Sequence, residues 1–270
     1  NRQQMTNSKK FALVTGSSNG IGRAIAENCA ARGFNVLLVA LPEPKLEEVT
    51  NALATKYPNQ EFHCLGVNLM DAEAPQEVFQ WCQKNNFVVD ILANNAGLGN
   101  SGDFLSKKAE FYFGQMQLNM VAMVMLTHHF LPEMQKLDKA YILNVASMAS
   151  YYDIPFKGIY AASKKFVSSF SHSLRYELKD SNVFVSILCP AAVLTNPEVI
   201  KRDANMGFVS KITRQTAEQV AEYALSRMFN RKPVSIPGVF PKFYRTLGRV
   251  IPHRMQLRML ANAFIKQSRE

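Results

Sequence analysis

The chain has 270 residues, a net charge of +10 at pH 7 and four cysteines. This length suits one large α/β domain, and 47% of the residues are apolar, enough for a single core. The cysteines lie far apart, with no Cys-x-x-Cys and no histidine pair at ligand spacing, so a disulfide framework or a metal site is not expected. This usage is typical of a reduced, cytoplasmic protein, and no apolar run reaches the roughly 18 residues of a membrane span.

Short β-rich runs alternate with longer amphipathic segments through the first two thirds of the chain. The alternation predicts strands joined by helices, and therefore an α/β fold with a doubly wound parallel sheet covered on both faces. Ligands of such sheets bind outside the carboxyl ends of the strands. The predicted strands are FALV (11–14), NVLLVA (35–40), FHCLGV (62–67), VVDILA (88–93), AYILNV (140–145) and VFVSIL (183–188).

The first predicted strand runs into the glycine-containing stretch LVTGSSNGIGRAIA (13–26), after which a helix begins. Glycine is needed where backbone approaches a ligand closely, and a helix N-terminus attracts a pyrophosphate through its free N–H groups. An ordinary glycine turn is the alternative. The candidate residues of this loop are Gly16, Ser17, Ser18, Asn19, Gly20, Ile21 and Gly22.

From this loop onward the sequence resembles the short-chain dehydrogenase/reductase family, whose glycine loop has the form TGxxxGIG. Further motifs of that family follow in order: NNAG at 94–97, Asn119 in MQLNMVA, Ser147 in LNVASMAS, and the YxxxK pair of Tyr160 and Lys164. A lone YxxxK is usually a pair of surface neighbours. Because the pair occurs here together with the other motifs, the resemblance implies a Rossmann-like NAD(P)-dependent oxidoreductase.

The resemblance assigns a role to each of four candidate catalytic residues. Tyr160 would exchange a proton with the substrate oxygen, Ser147 would hydrogen-bond that oxygen, and Asn119 would hold a water on the proton path. Lys164, which would also hold the nicotinamide ribose, lies one helical turn from Tyr160. Because a phenol ordinarily titrates near pH 10, we expect the Lys164 ammonium to lower the pKa of Tyr160 in a partly dry pocket.

The resemblance also implies cofactor contacts at the ends of the other strands. At the end of the second strand, Ala40 and Leu41 lack both the acid typical of NAD-preferring members and the arginine typical of many NADP-preferring ones. Without an acid, Ser17, Ser18 or Lys45 could reach a 2′-phosphate, which slightly favours NADP(H) over NAD(H). Asn68 stands in place of the usual aspartate and Ala191 in place of the usual glycine. The remaining contacts are Leu69, Asn95, Ala96, Gly97, Tyr160, Lys164, Pro190, Val193 and Thr195.

The substrate is suggested only by the segments that flank these motifs. The stretch GLGNSGDF after NNAG and the basic C-terminus resemble the branch of hydroxysteroid dehydrogenases and long-chain 3-oxoacyl reductases, which favours a lipid-like ketone. Segment 196–215 corresponds to the substrate lid, and its apolar residues, with Tyr152, Ile154 and Phe156, suggest an apolar pocket wall or simple lid packing. A small polar carbonyl, or a nucleotide-sensing module without catalysis, remains the alternative function.

The last forty residues carry nine cations and one acid, Glu270. Beyond a catalytic domain at 1–238, residues 239–270 are predicted to form a basic amphipathic helical extension. Its apolar face could pack near the active site or on another subunit, or the helix could lie on an anionic membrane. No nucleic-acid reader motif is present. The resemblance implies a homodimer or homotetramer formed through the helices that carry Asn119 and Tyr160.

Overall fold

The structure, a computed structural model, describes residues 9–191, 215–238, 241 and 251–268. Seven parallel strands form one sheet in the order β3-β2-β1-β4-β5-β6-β7. The six predicted strands are confirmed to within one residue at each end. The two-residue β7 is too short to have a recognisable pattern. The strands are β1 (Lys10–Thr15), β2 (Asn35–Ala40), β3 (Phe62–Gly66), β4 (Val88–Asn94), β5 (Ala140–Val145), β6 (Val183–Leu188) and β7 (Val234–Ser235).

Helices connect the strands and cover both faces of the sheet. Between α4 and α5 the same helical rod passes through a π-helical turn, Gln117–Val121. None of the described helices is both long and apolar enough to cross a membrane. The helices are α1 (Gly20–Ala31), α2 (Pro44–Lys56), α3 (Ala74–Lys84), α4 (Ala109–Met116), α5 (Ala122–Met134), α6 (Gly158–Glu177), α7 (Ala217–Phe229) and α8 (His253–Ser268).

The core lies on both sides of the sheet because successive strand residues point to opposite faces. Val14 and Leu38 pack in one cluster with residues of α1 and α7, whereas Leu13 and Leu37 pack in the other with residues of α3 and α5. All four are completely buried. This double burial explains why the strands read as continuous apolar runs rather than as an alternation of apolar and polar residues.

The strand order places a crevice at the carboxyl ends of β1 and β4. The chain proceeds from β1 outward through β2 and β3, and then returns to add β4 on the other side of β1. Connections on the two sides therefore diverge at this point, which is where open parallel sheets bind their ligands. Every motif identified in the sequence, from the glycine loop to the YxxxK pair, follows the carboxyl end of a strand in this sheet.

One buried carboxyl group in the sheet leads to a prediction about how stability depends on pH. Asp90 of β4 is buried, its Oδ1 has no hydrogen-bond partner among the described residues, and burial raises its pKa from 3.8 to about 6. The folded state therefore binds this proton more tightly than the unfolded state, and stability should fall as pH rises from about 4 to about 6.

We expect Asp90→Asn to remove this pH dependence. At pH 7 the variant should be more stable than the parent by about 1 kcal/mol, because the charge penalty is relieved while an amide must still be buried. Denaturant unfolding of both proteins between pH 4 and pH 7 measures the difference. Parallel pH profiles for the two proteins would contradict the raised pKa.

Candidate active site

The glycine loop forms a tight turn between β1 and α1. Gly16 and Gly20 have φ values of +64° and +54°, a left-handed conformation that favours glycine. A Cβ on Gly22 would lie 2.1 Å from the carbonyl oxygen of Gly16, so α1 and the turn approach each other as only glycine permits. The Gly16 amide donates to the Val39 carbonyl at 2.7 Å, which fastens the loop to the end of β2.

The loop is also fastened to the end of β4. The Thr15 hydroxyl accepts from the backbone amides of Asn95 and Ala96, both at 3.0 Å. In return, the Asn95 side-chain amide donates to the Thr15 carbonyl at 2.9 Å and to the Gly16 carbonyl at 3.2 Å. These bonds hold the glycine loop and the NNAG turn together as the two walls of the crevice.

The residues of the crevice fit a dinucleotide. The glycines of the loop and Gly97 have no side chain to cover the backbone where a cofactor would approach it. Within the described residues, no side chain caps the N-terminus of α1 and no acid lies in its first turn. Its N–H groups and the positive end of its dipole thus suit an anionic pyrophosphate.

The end of β2 contains the candidates for the adenosine ribose. Ala40 is buried, and Leu41 is 49% exposed. Ser17 is buried and donates its hydroxyl to the Val39 carbonyl, whereas Ser18 is half-buried. Lys45 forms an ion pair with Glu48 at 2.8 Å. Ser17 is therefore held in the interior and Lys45 is paired with Glu48, which leaves Ser18 as the candidate for a 2′-phosphate.

The other predicted cofactor positions lie at the ends of β3 and β6. Asn68 is half-buried, and its Oδ1 accepts from the Met70 amide at 3.2 Å while Leu69 is buried beside it. Pro190 accepts from the Met148 amide at 2.9 Å, which ties the end of β6 to the segment after Ser147. Ala191 is half-buried. Val193, Thr195 and the predicted lid residues up to 214 lie outside the described residues.

Asn119 lies in the π-helical turn between α4 and α5, and it is buried. Its Oδ1 accepts from the Leu98 amide at 2.8 Å, and its Nδ2 donates to the Leu98 carbonyl at 2.9 Å and to Ser163 Oγ at 3.0 Å. Single π turns recur at functional sites. Both N–H donors of the side chain have protein partners, so a water on the proton path could be held by the second lone pair of Oδ1 or by the backbone of Asn119.

Tyr160 lies in the first turn of α6, and its phenol is hydrogen-bonded to the Ser147 side chain. Burial raises the pKa of Tyr160 above its ordinary value, and the bond to Ser147 lowers it in part. The net direction is opposite to the lowering expected from the YxxxK spacing. The physical reason is desolvation, because a phenolate loses more by leaving water than it gains from the polar groups around it here.

Lys164 lies on the same side of α6 as Tyr160, with its Nζ 6.0 Å from the centre of the Tyr160 ring. It is buried and donates to the Val145 carbonyl at 2.9 Å. Burial lowers the pKa of Lys164 from 10.5 to about 8, so the ammonium form still prevails at pH 7. A Cβ on Gly97 would lie 3.2 Å from Lys164 Nζ and 3.3 Å from Asn119 Oδ1, which places the NNAG turn directly over both groups.

A cavity of about 310 Å³ adjoins the start of α6, where Gly158 and Ile159, the two residues before Tyr160, line it. Its wall is largely apolar, and Phe156 adopts a φ of +65°, which is unusual for an aromatic residue and marks a constrained loop. Ile154 and Phe156 belong to the predicted pocket wall and line this cavity, whereas Tyr152 does not line it. The lining residues are Asn100, Gly102, Asp103, Phe104, Tyr112, Ile154, Pro155, Phe156, Gly158 and Ile159.

Comparison with known proteins agrees with this geometry. The family described as short chain dehydrogenase matches residues 10–205, which is more than half of the chain. The chain belongs to the short-chain dehydrogenase family. It is therefore an oxidoreductase that uses a nicotinamide cofactor, NAD or NADP, and the fold, the crevice and the YxxxK pair all agree with this assignment.

The relatives of this short-chain dehydrogenase include both kinds of protein named by the sequence resemblance. Hydroxysteroid dehydrogenase-like protein 1 of Gallus gallus is 29% identical over 252 residues, which are 90% of this chain and 72% of that protein. Very-long-chain 3-oxoacyl-CoA reductase-B of Danio rerio is 29% identical over 197 residues, 72% of this chain and 62% of that protein. A solved short-chain dehydrogenase from Sphingobium yanoikuyae in complex with NADPH has a TM-score of 0.76 at 27% identity, covering 89% of this chain and 93% of that one.

Sequence reasoning missed residues of this short-chain dehydrogenase that organise the site indirectly. Gln115 donates to the Leu98 carbonyl at 2.9 Å and to Asn100 Oδ1 at 3.1 Å. Ser163 is buried, and its hydroxyl links Asn119 to the Tyr160 carbonyl. Gln115 lies one helical turn before Asn119, and this spacing was the only available signal for its role.

The described residues contain no group of three or more histidine, cysteine, aspartate or glutamate side chains that could hold a metal ion.

Proposed function

We propose that this protein reduces a hydrophobic, lipid-like ketone to a secondary alcohol, with Tyr160 as the acid that protonates the substrate oxygen. The observation that carries the proposal is that Ser147 contacts Tyr160, that Lys164 lies on the same side of α6, and that Gly97 lies against both Lys164 and Asn119. A bound nicotinamide nucleotide would supply the hydride. The protein contributes orientation, electrostatics and the proton.

In this proposal the side chains act on the oxygen of the carbonyl group. Ser147 and Tyr160 already share a hydrogen bond, and a carbonyl oxygen would accept from both hydroxyls in its place. Tyr160 gives its proton as the oxygen becomes an alkoxide, which is much more basic than a phenolate. Lys164 and the backbone of Gly97 would hold the nicotinamide ribose, while Gly16 to Gly22 and the N-terminus of α1 would hold the pyrophosphate.

The raised pKa of Tyr160 favours reduction over oxidation. Reduction needs a protonated phenol, which burial preserves at neutral pH, whereas oxidation needs a phenolate, which burial disfavours. We expect kcat/KM for reduction to stay constant at pH 6 to 7 and to fall through about pH 8, where Lys164 loses its proton. We expect the rate of alcohol oxidation to rise with pH over the same range. Initial rates measured in both directions from pH 6 upward test this, and an oxidation rate that does not change with pH would contradict it.

The cavity next to Tyr160 supports a hydrophobic substrate. Its lining includes Phe104, Ile154, Pro155, Phe156 and Ile159, and such a wall binds apolar groups by removing them from water. The names of the two relatives, a hydroxysteroid dehydrogenase-like protein and a very-long-chain 3-oxoacyl-CoA reductase, support the same class of substrate. A small polar carbonyl would leave most of this wall without contact.

For the cofactor we propose a preference for NADP(H). The support is the absence of an acid at Ala40 and Leu41, the half-buried Ser18 beside the loop, and the NADPH bound by the Sphingobium yanoikuyae relative. The remaining site residues named from the sequence, including Val193 and Thr195, are proposed as further cofactor contacts on the same family pattern.

The assembly and location of the protein are proposals of the same kind. A homodimer or homotetramer is supported by exposed apolar residues on the helices that carry Asn119 and Tyr160: Phe113 is 68% exposed, and Val121 and Phe166 are also exposed. A cytoplasmic location and the division into a domain at 1–238 and an extension at 239–270 stay predictions. Sedimentation of the purified protein measures the assembly directly.

The proposed function is tested by following nicotinamide absorbance with NADPH and NADH separately, over steroid ketones, 3-oxoacyl thioesters and small polar ketones. We expect oxidation of NADPH with a hydrophobic ketone and weaker activity with small polar ones. Activity only with small polar carbonyls would contradict the substrate class. Tight nucleotide binding without turnover of any ketone would favour the nucleotide-sensing function instead.

A further inference from the structure

Helix α8 near the C-terminus presents a distinct exposed face. Two arginines, Arg254 and Arg258, and two methionines, Met255 and Met259, are exposed along it, and the methionines are 49% and 57% exposed. Positions four apart share one side of a helix, so these residues form two adjacent rows. We call these four residues the Arg–Met face. The opposite side carries the half-buried residues Gln256, Leu257 and Leu260.

The start of α8 lies against the loop that borders the cavity. His253 Nε2 lies 3.7 Å from Asp153 Oδ2, and Asp153 also forms an ion pair with Lys165 of α6. Asp153 directly precedes Ile154, Pro155 and Phe156 of the cavity wall. Among the described elements, none packs extensively against α8.

A second exposed apolar feature adjoins the same loop. The Gly102 amide donates to the Phe156 carbonyl at 3.0 Å. The short helical turn that follows carries Phe104, which is 66% exposed and lines the cavity, and Leu105, which is 90% exposed. Exposed apolar side chains therefore lie on both elements that contact the cavity loop.

We propose that the Arg–Met face is a docking surface for an anionic lipid membrane. Methionine side chains can enter the interfacial region of a bilayer, while arginines beside them bind lipid phosphates. The sequence of α8 contains no acid, and the last forty residues carry most of the net positive charge of the chain, so attraction to an anionic surface extends beyond this face. The proposal rests on the proposed function, because docking would bring the cavity close to a lipid-like substrate.

Charge and composition favour a membrane over the other occupants. If two copies paired through this face, the arginine rows of both would add to one interface without an acid to neutralise them. Nucleic acid would suit the arginines, but it would leave the two methionines facing phosphates, and the face has no aromatic residue on which a base could stack. A bilayer surface offers phosphates to the arginine row and its interfacial region to the methionine row.

Vesicle flotation of the full chain tests the proposal. We expect the protein to float with vesicles of equal parts phosphatidylcholine and phosphatidylserine at low salt, and not with phosphatidylcholine alone. The double variant Arg254→Gln/Arg258→Gln should bind the mixed vesicles roughly thirty-fold more weakly, about a factor of five for each arginine at an anionic surface. The double variant Met255→Ser/Met259→Ser should also bind more weakly, although it keeps every charge.

A matched control separates the face from net charge. Lys84→Gln/Lys108→Gln lowers the net charge by the same amount at exposed positions on other elements, and it should float almost as well as the parent. Failure of the parent to float with the mixed vesicles overturns the proposal, as does equal loss in the control and the arginine variant. Duplex DNA binding without flotation, lost in the arginine variant, would assign the face to nucleic acid. A smaller sedimenting mass for either face variant would assign it to a second copy.

Reduction of a water-soluble ketone with NADPH, measured on the same preparations, keeps this proposal apart from the proposed function. The face variants should retain that activity, because none of the four residues lines the cavity or contacts Tyr160 or Lys164. Lost flotation with intact activity assigns the docking role to the face. Intact flotation in a protein that reduces no ketone contradicts only the proposed function.

Discussion

Tyr160→Phe is expected to abolish ketone reduction while nucleotide binding remains. The substitution removes the phenolic proton donor and keeps the ring against Gly99, where a Cβ would lie 3.5 Å from the Tyr160 ring. Acid–base catalysis by one positioned side chain contributes about 10²- to 10⁴-fold, so we expect kcat to fall by that range or more. NADPH titration by fluorescence should give a dissociation constant close to that of the parent.

Tyr176→Phe is the matched control for this prediction. Tyr176 lies on the same helix, α6, and is 71% exposed, so the same loss of a hydroxyl there should leave kcat unchanged. If Tyr160→Phe retained a substantial part of the parental rate, proton donation would have to be assigned to another group. Ser147 would be the next candidate, because its hydroxyl already contacts the phenol.

Gly22→Ala is expected to disrupt the nucleotide crevice. The new Cβ would lie 2.1 Å from the Gly16 carbonyl oxygen and 2.4 Å from Asn95 Nδ2, and neither atom can yield without breaking the turn. Overpacking in a core costs about 1 to 3 kcal/mol, and a clash with backbone should reach the upper end of that range. We expect a lower melting temperature and a clear loss of NADPH affinity, because relieving the clash displaces the Gly16 carbonyl and with it the loop that would hold the pyrophosphate.

The variant Gly33→Ala is the control that separates the cost of replacing any left-handed glycine from the cost of this clash. Gly33 has a φ of +85°, but an added Cβ would meet no described atom within 4 Å. Its cost should be about 1 kcal/mol of stability, from the left-handed backbone alone. NADPH affinity should be unchanged, since Gly33 lies at the far end of α1 from the glycine loop. Equal losses of affinity in both variants would mean that the loop is not the binding site.

The strands could be predicted from the sequence because a parallel sheet covered on both faces buries every strand residue. Runs such as NVLLVA therefore stand out from their surroundings, and β2 spans the predicted residues 35–40. The motif order gave the candidate catalytic residues for a related reason, since each follows the end of a strand. The two-residue β7 carries too few residues for any pattern and was not predicted.

The pKa of Tyr160 could not be predicted from the spacing of its motif. The YxxxK pattern places Lys164 on the same side of α6, which the structure confirms, but spacing does not say how much water surrounds the two groups. Burial raises the pKa of the phenol and lowers that of the ammonium, because each charged form loses its hydration. Ser163 shows the same limit, because its buried hydrogen bond with Asn119 joins two helices and cannot be read from the spacing of the motif.

By itself, the sequence determined the α/β class, the strand positions, the family and the identity of the candidate catalytic side chains, because these depend on local periodicity and on short motifs. Only the tertiary structure decided how those side chains meet: the π turn at Asn119, the Ser147–Tyr160 bond, the raised phenol pKa and the apolar cavity beside it. Those features depend on desolvation and on contacts between residues far apart in the chain. Neither desolvation nor such long-range contacts can be read from the spacing of residues along the chain.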